Sequence, residues 1–259
     1  MDQTERRRYL TEKLLAEHPE YRDTQMPDSE TEQRQLLRGL MNIRMPGEID
    51  EEFLEVQDAY LQEELKRKGV VRADSVEFNE NGLGTWKGDI TRLAADAIVN
   101  AANSGMTGCY VPNHTCIDNC IHTSAGIQLR CECGKIMSLQ GHAEPAGQAK
   151  ITQGYNLPCR YVIHTVGPVV RGSVTKRDEE LLASCYRSCL ELAAANHIES
   201  IAFCCISTGV FHFPNRRAAE IAVSTVRDCL REKTSVKKVI FNVFKDIDEE
   251  IYRELLGEY

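Results

Sequence analysis

Ala97-Ile98-Val99-Asn100-Ala101-Ala102-Asn103-Ser104-Gly105-Met106-Thr107-Gly108 is the stretch on which the fold turns. It begins as a continuous apolar run, which suits a strand buried on both faces, and passes without a break into small residues. Runs of the same kind stand at Tyr161-Val162-Ile163, Ile201-Ala202-Phe203-Cys204-Cys205-Ile206 and Val239-Ile240-Phe241-Asn242-Val243. Helical patterns lie between and after them, at Leu181 to Ala193, Ala218 to Leu230 and Ile247 to Leu255. Strands alternating with helices predict an α/β sandwich around a largely parallel or mixed sheet. Val76-Glu77-Phe78 and Gly84-Thr85-Trp86-Lys87 read as two strands flanking an Asn81-Gly82 turn.

Upstream of this region the composition changes. Residues 1–72 hold 12 Lys/Arg and 17 Asp/Glu, whereas all 11 cysteines fall between Cys109 and Cys229. The shift divides the chain into a helical extension, residues 1–72, and a second region, residues 73–259. Three amphipathic stripes are expected in the extension. Tyr9, Leu10, Leu14 and Leu15 form the first; Leu36, Leu37, Leu40 and Met41 follow a Ser29/Glu32 capping box; Phe53, Leu54, Tyr60, Leu61 and Leu65 run to a C-capping Gly69. Helices this short and this charged are expected to pack on the downstream region, as a structural flank or as a partner-binding module.

Composition excludes several classes. Hydrophobic residues make up 42% of the 259, enough for a sizeable core. No apolar run is long enough to span a bilayer, and Met1 to Arg8 carries no secretory pattern, so a cytoplasmic protein with free thiols or metal ligands is expected. A net charge of −8 argues against a nucleic-acid binder. It leaves room for an anionic ligand held by backbone N–H groups, which add no formal charge.

Two segments come directly after strands and could carry chemistry. Ser207-Thr208-Gly209-Val210-Phe211 precedes a helix after Pro214; its small residues let amides approach a phosphate, though such a turn can also simply link strand to helix. Beyond Gly108, the residues Cys109, His114 and Cys116 place three donors within eight positions. Two thiolates and an imidazole suit Zn²⁺ and leave a fourth position open, as in catalytic sites. The plain alternative is free cysteines beside a surface histidine, while Cys120, Cys131 or Cys133 could close a four-ligand structural site. Asp118, two residues past Cys116, reads locally as a helix N-cap. His122, His142, His164 and His212 read as surface or satisfied strand histidines, and Cys204-Cys205 as core.

The chain strongly resembles the macrodomain family. The matching residues are Gly88-Asp89-Ile90-Thr91, Ala97 to Asn103, Ala149-Lys150-Ile151-Thr152-Gln153-Gly154-Tyr155-Asn156-Leu157-Pro158, Tyr161-Val162-Ile163-His164-Thr165-Val166-Gly167-Pro168 and Ser207 to Phe211, in family order. The Cys-x4-His-x-Cys insertion and the helical extension resemble the zinc-dependent microbial branch of protein-ADP-ribose hydrolases. That resemblance implies a three-layer α/β/α fold with a mixed central sheet. It implies removal of mono-ADP-ribose, from carboxylate side chains of modified proteins, with Zn²⁺ held by Cys109, His114 and Cys116. Asp89 would accept from the adenine amino group beside Ile90, Asn103 would bind the distal ribose, and Ser207, Thr208, Gly209, Val210 and Phe211 would wrap the diphosphate and ribose. Cys116, Ile117, Asp118 and Asn119 would complete the nucleotide site, with Asp118 and Asn103 catalytic. The usual glycine-rich loop is replaced here by the metal-ligand insertion. The partner implied is an ADP-ribosylated protein, such as a lipoyl-carrier protein modified by a sirtuin-like transferase. The rival expectation is a non-catalytic ADP-ribose reader with a structural zinc.

Overall fold

The computed structural model describes every residue except Arg22, Lys233, Glu258 and Tyr259. Three helices open the chain: α1 (Gln3–Ala16), α2 (Glu30–Ile43) and α3 (Glu51–Lys68). Local chemistry sets their ends. Asp2 and Glu5 form a reciprocal capping box on α1, the Ser29 hydroxyl accepts from the Glu32 N–H on α2, and Gly69 closes α3 at φ 79°. Leu10, Leu14, Leu37, Leu40, Met41, Phe53, Tyr60 and Leu61 form one small core, which takes in Ile127 from beyond the extension. The helices therefore close their core on the rest of the protein, as their length and charge require.

Next in the chain are β1 (Val71–Arg72), β2 (Leu83–Lys87), β3 (Leu93–Ala94) and β4 (Ala97–Ala101). After them come α4 (Ile117–Ala125), α5 (Ile127–Gln140), β5 (Ala149–Gln153), β6 (Tyr161–Thr165) and α6 (Lys176–Ala195). The chain finishes with β7 (Ser200–Phe203), α7 (Asn215–Leu230), β8 (Lys238–Val243) and α8 (Asp246–Leu256). The main sheet has the order β2-β8-β7-β4-β6-β5, all parallel except β5, which runs antiparallel to β6. A mixed sheet between helical layers is the architecture expected. The apolar residues of β7 and β8 and most of those in β4 and β6 are buried, and α6, α7 and α8 pack in series over the sheet.

Two local expectations are revised. Residues 76–78 are not a strand: the Asn81-Gly82 turn forms, with the Asn79 side chain accepting from the Asn81 and Leu83 N–H groups, but β2 pairs in parallel with β8. The buried β8 offers a full ladder, while 76–78 contributes only contact across Gly84. The strand expected over 201–206 stops at Phe203, where Cys204 to Ile206 turn toward the loop. Apart from these, α5, which the sequence does not signal, carries no capping residue of its own. The Gln57 Oε1 accepts from the Ile127 N–H at 2.9 Å, so α3 caps α5 from seventy positions away.

Two features of this topology position a site. Neighbouring strands β4 and β7 run parallel, so the segments that leave their carboxyl ends, 102–116 and 204–214, lie side by side. That crevice is where open α/β sheets bind ligands. In addition, β4 and β6 pair with Asn100 directly opposite His164.

Candidate active site

A cavity of about 1260 Å³ opens over the carboxyl ends of the strands, larger than the roughly 300–1,000 Å³ of a usual small-molecule site. Gly88 to Thr91 form one end and Ser207 to Phe211 one side; Asn103, Gly108 to Tyr110 and His114 to Asp118 form the other. Arg34, Leu37, Arg38, Tyr60, Leu61, Glu64, Leu65 and Lys68, all from α2 and α3, supply a further wall. The extension is thus part of the site.

At one end Asp89 caps a short 3-10 turn: its Oδ1 accepts from the Thr91 N–H at 3.0 Å and from the Thr91 hydroxyl at 2.6 Å. Its other oxygen lies 3.7 Å from the Lys68 ammonium, and Ile90 is buried next to it. Along the side, Ser207 takes a left-handed φ of 64° and His212 one of 59°. Among the described residues the N–H groups of Gly209, Val210 and Phe211 have no protein acceptor, so they can serve an anion.

Asp118 sits at the centre. It is not the N-cap of α4, a place taken by Cys116, whose sulfur accepts from the Asn119 N–H at 3.4 Å. Asp118 lies in the first turn with its carboxylate turned inward and 5% exposed. Its Oδ1 accepts from Asn100 Nδ2 at 2.8 Å and its Oδ2 from Asn103 Nδ2 at 3.2 Å. Burial pushes its pKa up to about 6, against the opposing pull of those amides and of the Arg130 guanidinium. The second proton of Asn100 Nδ2 points to His164 Nδ1 at 3.1 Å, and His164 Nε2 lies 2.9 Å from the Thr152 hydroxyl. The amide can only donate, so His164 accepts at Nδ1 and carries its proton on Nε2, a tautomer assigned from the network. The chain Thr152–His164–Asn100–Asp118 fixes the carboxylate from behind. Asn103 Nδ2 also donates to the Gly108 carbonyl at 3.0 Å, tying Asp118 to the start of the Cys/His loop.

In that loop the ligand atoms of Cys109, His114 and Cys116 all lie within 4.8 Å of one another, with Cys109 Sγ 3.4 Å from His114 Nδ1. Tetrahedral zinc bonds place a sulfur and a nitrogen ligand about 3.5 Å apart. Chemistry and spacing therefore both fit zinc. Burial, reinforced by the neighbouring Cys109, pushes the Cys116 thiol up to about 12. Cys120 lines the cavity but does not join the three, and Cys131 is turned toward the Gly47 carbonyl at 3.3 Å. A second group, His122, Cys133 and His164, is equally compact and fully buried. It is not read as a metal site, because the hydrogen bonds of His164 use its one lone pair and its one proton.

Asp89, Ile90, Asn103, Cys109, His114, Cys116, Ile117, Asp118 and Ser207 to Phe211 all meet at the cavity. Asn119 does not reach it. Its fully buried side chain donates to the Val111 and Cys109 carbonyls instead, holding the loop from inside. Sequence reasoning missed Arg38, Asn42, Asn100 and Arg130 as site-building residues. Only Asn100 carried a local signal, as a polar residue within an apolar strand.

The chain is similar to known proteins over most of its length. The Macro domain family model matches residues 99–222. The chain is 56% identical over 261 residues to a protein-ADP-ribose hydrolase of Treponema medium, covering 99% of this chain and all of that one. It is 50% identical over 230 residues to a protein-ADP-ribose hydrolase of Staphylococcus aureus strain MSSA476, covering 88% and 86%. Among solved structures, the Trypanosoma brucei macrodomain in complex with ADP-ribose superposes with a TM-score of 0.67 at 29% identity, covering 89% of this chain and 97% of that one. The Oceanobacillus iheyensis macrodomain with ADP gives 0.62 at 38%, covering 70% and 93%.

Proposed function

The chain belongs to the macrodomain family, and from that premise we propose that it is a zinc-dependent protein-ADP-ribose hydrolase, cleaving the bond between ribose C1 and a carboxylate oxygen of a modified protein. The observation that carries this reading is the buried Asp118 carboxylate, held by Asn100 and Asn103 in the same cavity wall as Cys109, His114 and Cys116. A module that only binds nucleotide needs neither.

In this reading Asp89 and Ile90 take the adenine, and the free amides of residues 209–211 take the diphosphate, which is how a chain of net charge −8 holds an anion. Asp118 accepts a proton from, or orients, the water that attacks C1, while the target carboxylate leaves with the bonding electron pair. Asn103 keeps Asp118 in place through Nδ2 and has lone-pair capacity on Oδ1, beyond its bond from the Gly105 N–H, for a ribose hydroxyl. Cys109, His114 and Cys116 would hold the zinc, which when bound supplies Lewis-acid polarisation of an oxygen ligand. The 11 cysteines are all free thiols, and no helix among the described residues is long and apolar enough to cross a membrane. The unpaired thiols favour a reducing, cytoplasmic setting. The modified substrate proposed is a lipoyl-carrier protein.

The test is release of ADP-ribose from proteins modified on Asp/Glu, compared with other linkages, and followed by mass spectrometry. Release is expected from the carboxylate esters. It should be lost on chelation or in Cys116→Ala and slowed on the order of 10²–10⁴-fold in Asp118→Ala. Tight ADP-ribose binding with no release over hours would instead identify a reader.

A further inference from the structure

The three ligands proposed for zinc lie on a stretch, residues 109–116, that has no regular secondary structure. A free loop would have to be ordered each time it closed on a cation, at an entropic cost for every residue fixed. The structure shows what orders it beforehand. From the inner side Asn119 of α4 donates to the carbonyls of Val111 (3.0 Å) and Cys109 (3.4 Å), and Arg130 of α5 also reaches Cys109 O at 3.4 Å. From the outer side two hydrogen bonds come from α2. Arg38 Nη2 donates to the His114 carbonyl at 2.8 Å, and the Asn42 side chain accepts from the Asn113 N–H at 2.9 Å. Arg38 and Asn42 stand four residues apart and so share one helix face. Gly39, between them in the helix, faces the same loop, with Asn113 Nδ2 and Pro112 Cβ the nearest atoms to where a Cβ would stand. Asn113 itself takes a left-handed φ of 57°, a conformation that a fixed partner on its N–H helps to hold. Arg38 Nη2 also donates to Asn119 Oδ1 at 2.9 Å, joining the outer clamp to the inner one.

We infer that the N-terminal helices act as the outer jaw of the metal loop, with Arg38 a positioning residue that sets how tightly and in what geometry Cys109, His114 and Cys116 hold a cation. The inference rests on the zinc reading above and extends it to a segment outside the macrodomain proper.

The full-length protein tests it in two ways that do not depend on turnover. Zinc affinity is measured by competition with a chromophoric chelator, and ligand geometry by the visible absorption of the cobalt-substituted protein. Arg38→Ala should weaken zinc at least tenfold and alter the cobalt bands, while circular dichroism stays that of the folded protein. Wild-type affinity within twofold and an unchanged cobalt spectrum in folded Arg38→Ala overturn the inference but leave the zinc reading standing. If Arg38→Ala does not fold, Arg38→Lys, which keeps the charge on a shorter reach, carries the same criterion: a several-fold loss supports the jaw, and affinity within twofold rejects it. A wild-type protein that binds neither ion overturns the zinc reading, and the inference with it.

Discussion

His164 lies in β6 with no exposed surface, and burial lowers its pKa from about 6.5 to about 3. Above pH 6.5 it is neutral in both folded and unfolded chains and contributes no pH dependence. Between 6.5 and 3 the unfolded chain takes up a proton that the native protein refuses, so stability falls as pH falls, by about 1.4 kcal/mol per unit at the steepest. Asp118, shifted the other way by burial, offsets part of this, so the wild-type curve alone is not diagnostic. His164→Gln removes the titrating ring. Between pH of about 7 and about 5 it should lose roughly 2 kcal/mol less stability than wild type, read from urea midpoints. Equal pH slopes in the two proteins would refute the assignment. Sequence suffices to read His164 as a satisfied strand histidine. What satisfies it is not local: Asn100 is its neighbour only because β4 and β6 pair in that register, and pairing across 64 positions leaves no mark in either strand.

At the scale of elements, the site depends on two loops meeting without clearance. A Cβ on Gly167 would lie 2.0 Å from Ser207 Oγ and 2.8 Å from Ile206 Cγ2, and the Val170 N–H donates to the Phe211 carbonyl at 2.9 Å. The segment after β6 therefore props up the turn whose amides are proposed to hold the diphosphate. Gly167→Ala should push that turn aside and weaken ADP-ribose at least tenfold by calorimetric titration, while the protein stays folded. Unchanged affinity would mean that residues 207–211 do not carry the anion. Small residues after an apolar strand made that turn legible in the sequence. The role of Gly167 was not, because contact between two loops is written in neither. For the same reason α5 was invisible: its N-terminal cap is supplied by Gln57, so the usual Ser, Thr, Asp or Asn is missing where the helix starts. The expected 76–87 hairpin failed through the converse. Its turn chemistry is real, but a strand four positions away competes with a buried parallel partner, and the buried partner wins.

For the whole molecule, composition places a seam near residue 72, and the structure shows how much crosses it. Val71 and Arg72 pair with Leu93 and Ala94, Arg92 donates to the Gly69 carbonyl at 2.7 Å, and Ile127 belongs to the core of the helical extension. The Asp58 carboxylate accepts from Gln128 at 2.8 Å and from Asn156 at 2.6 Å, and the buried Arg130 reaches the carbonyls of Asn42 and Arg44. A charge-rich flank thus supplies hydrogen bonds to buried groups of the sheet domain, each worth about 0.5–1.5 kcal/mol net. Coupling of that density should make the two regions unfold together. Trp86, the single tryptophan, lies in β2 and reports on the sheet, whereas far-ultraviolet circular dichroism includes α1, α2 and α3. Urea unfolding followed by Trp86 fluorescence and by circular dichroism should therefore give coincident transitions. If ellipticity is lost first while Trp86 remains native, the extension is a separately folding module. The cavity wall it supplies would then open and close on its own, and the clamp on residues 109–116 would be only as firm as that equilibrium allows.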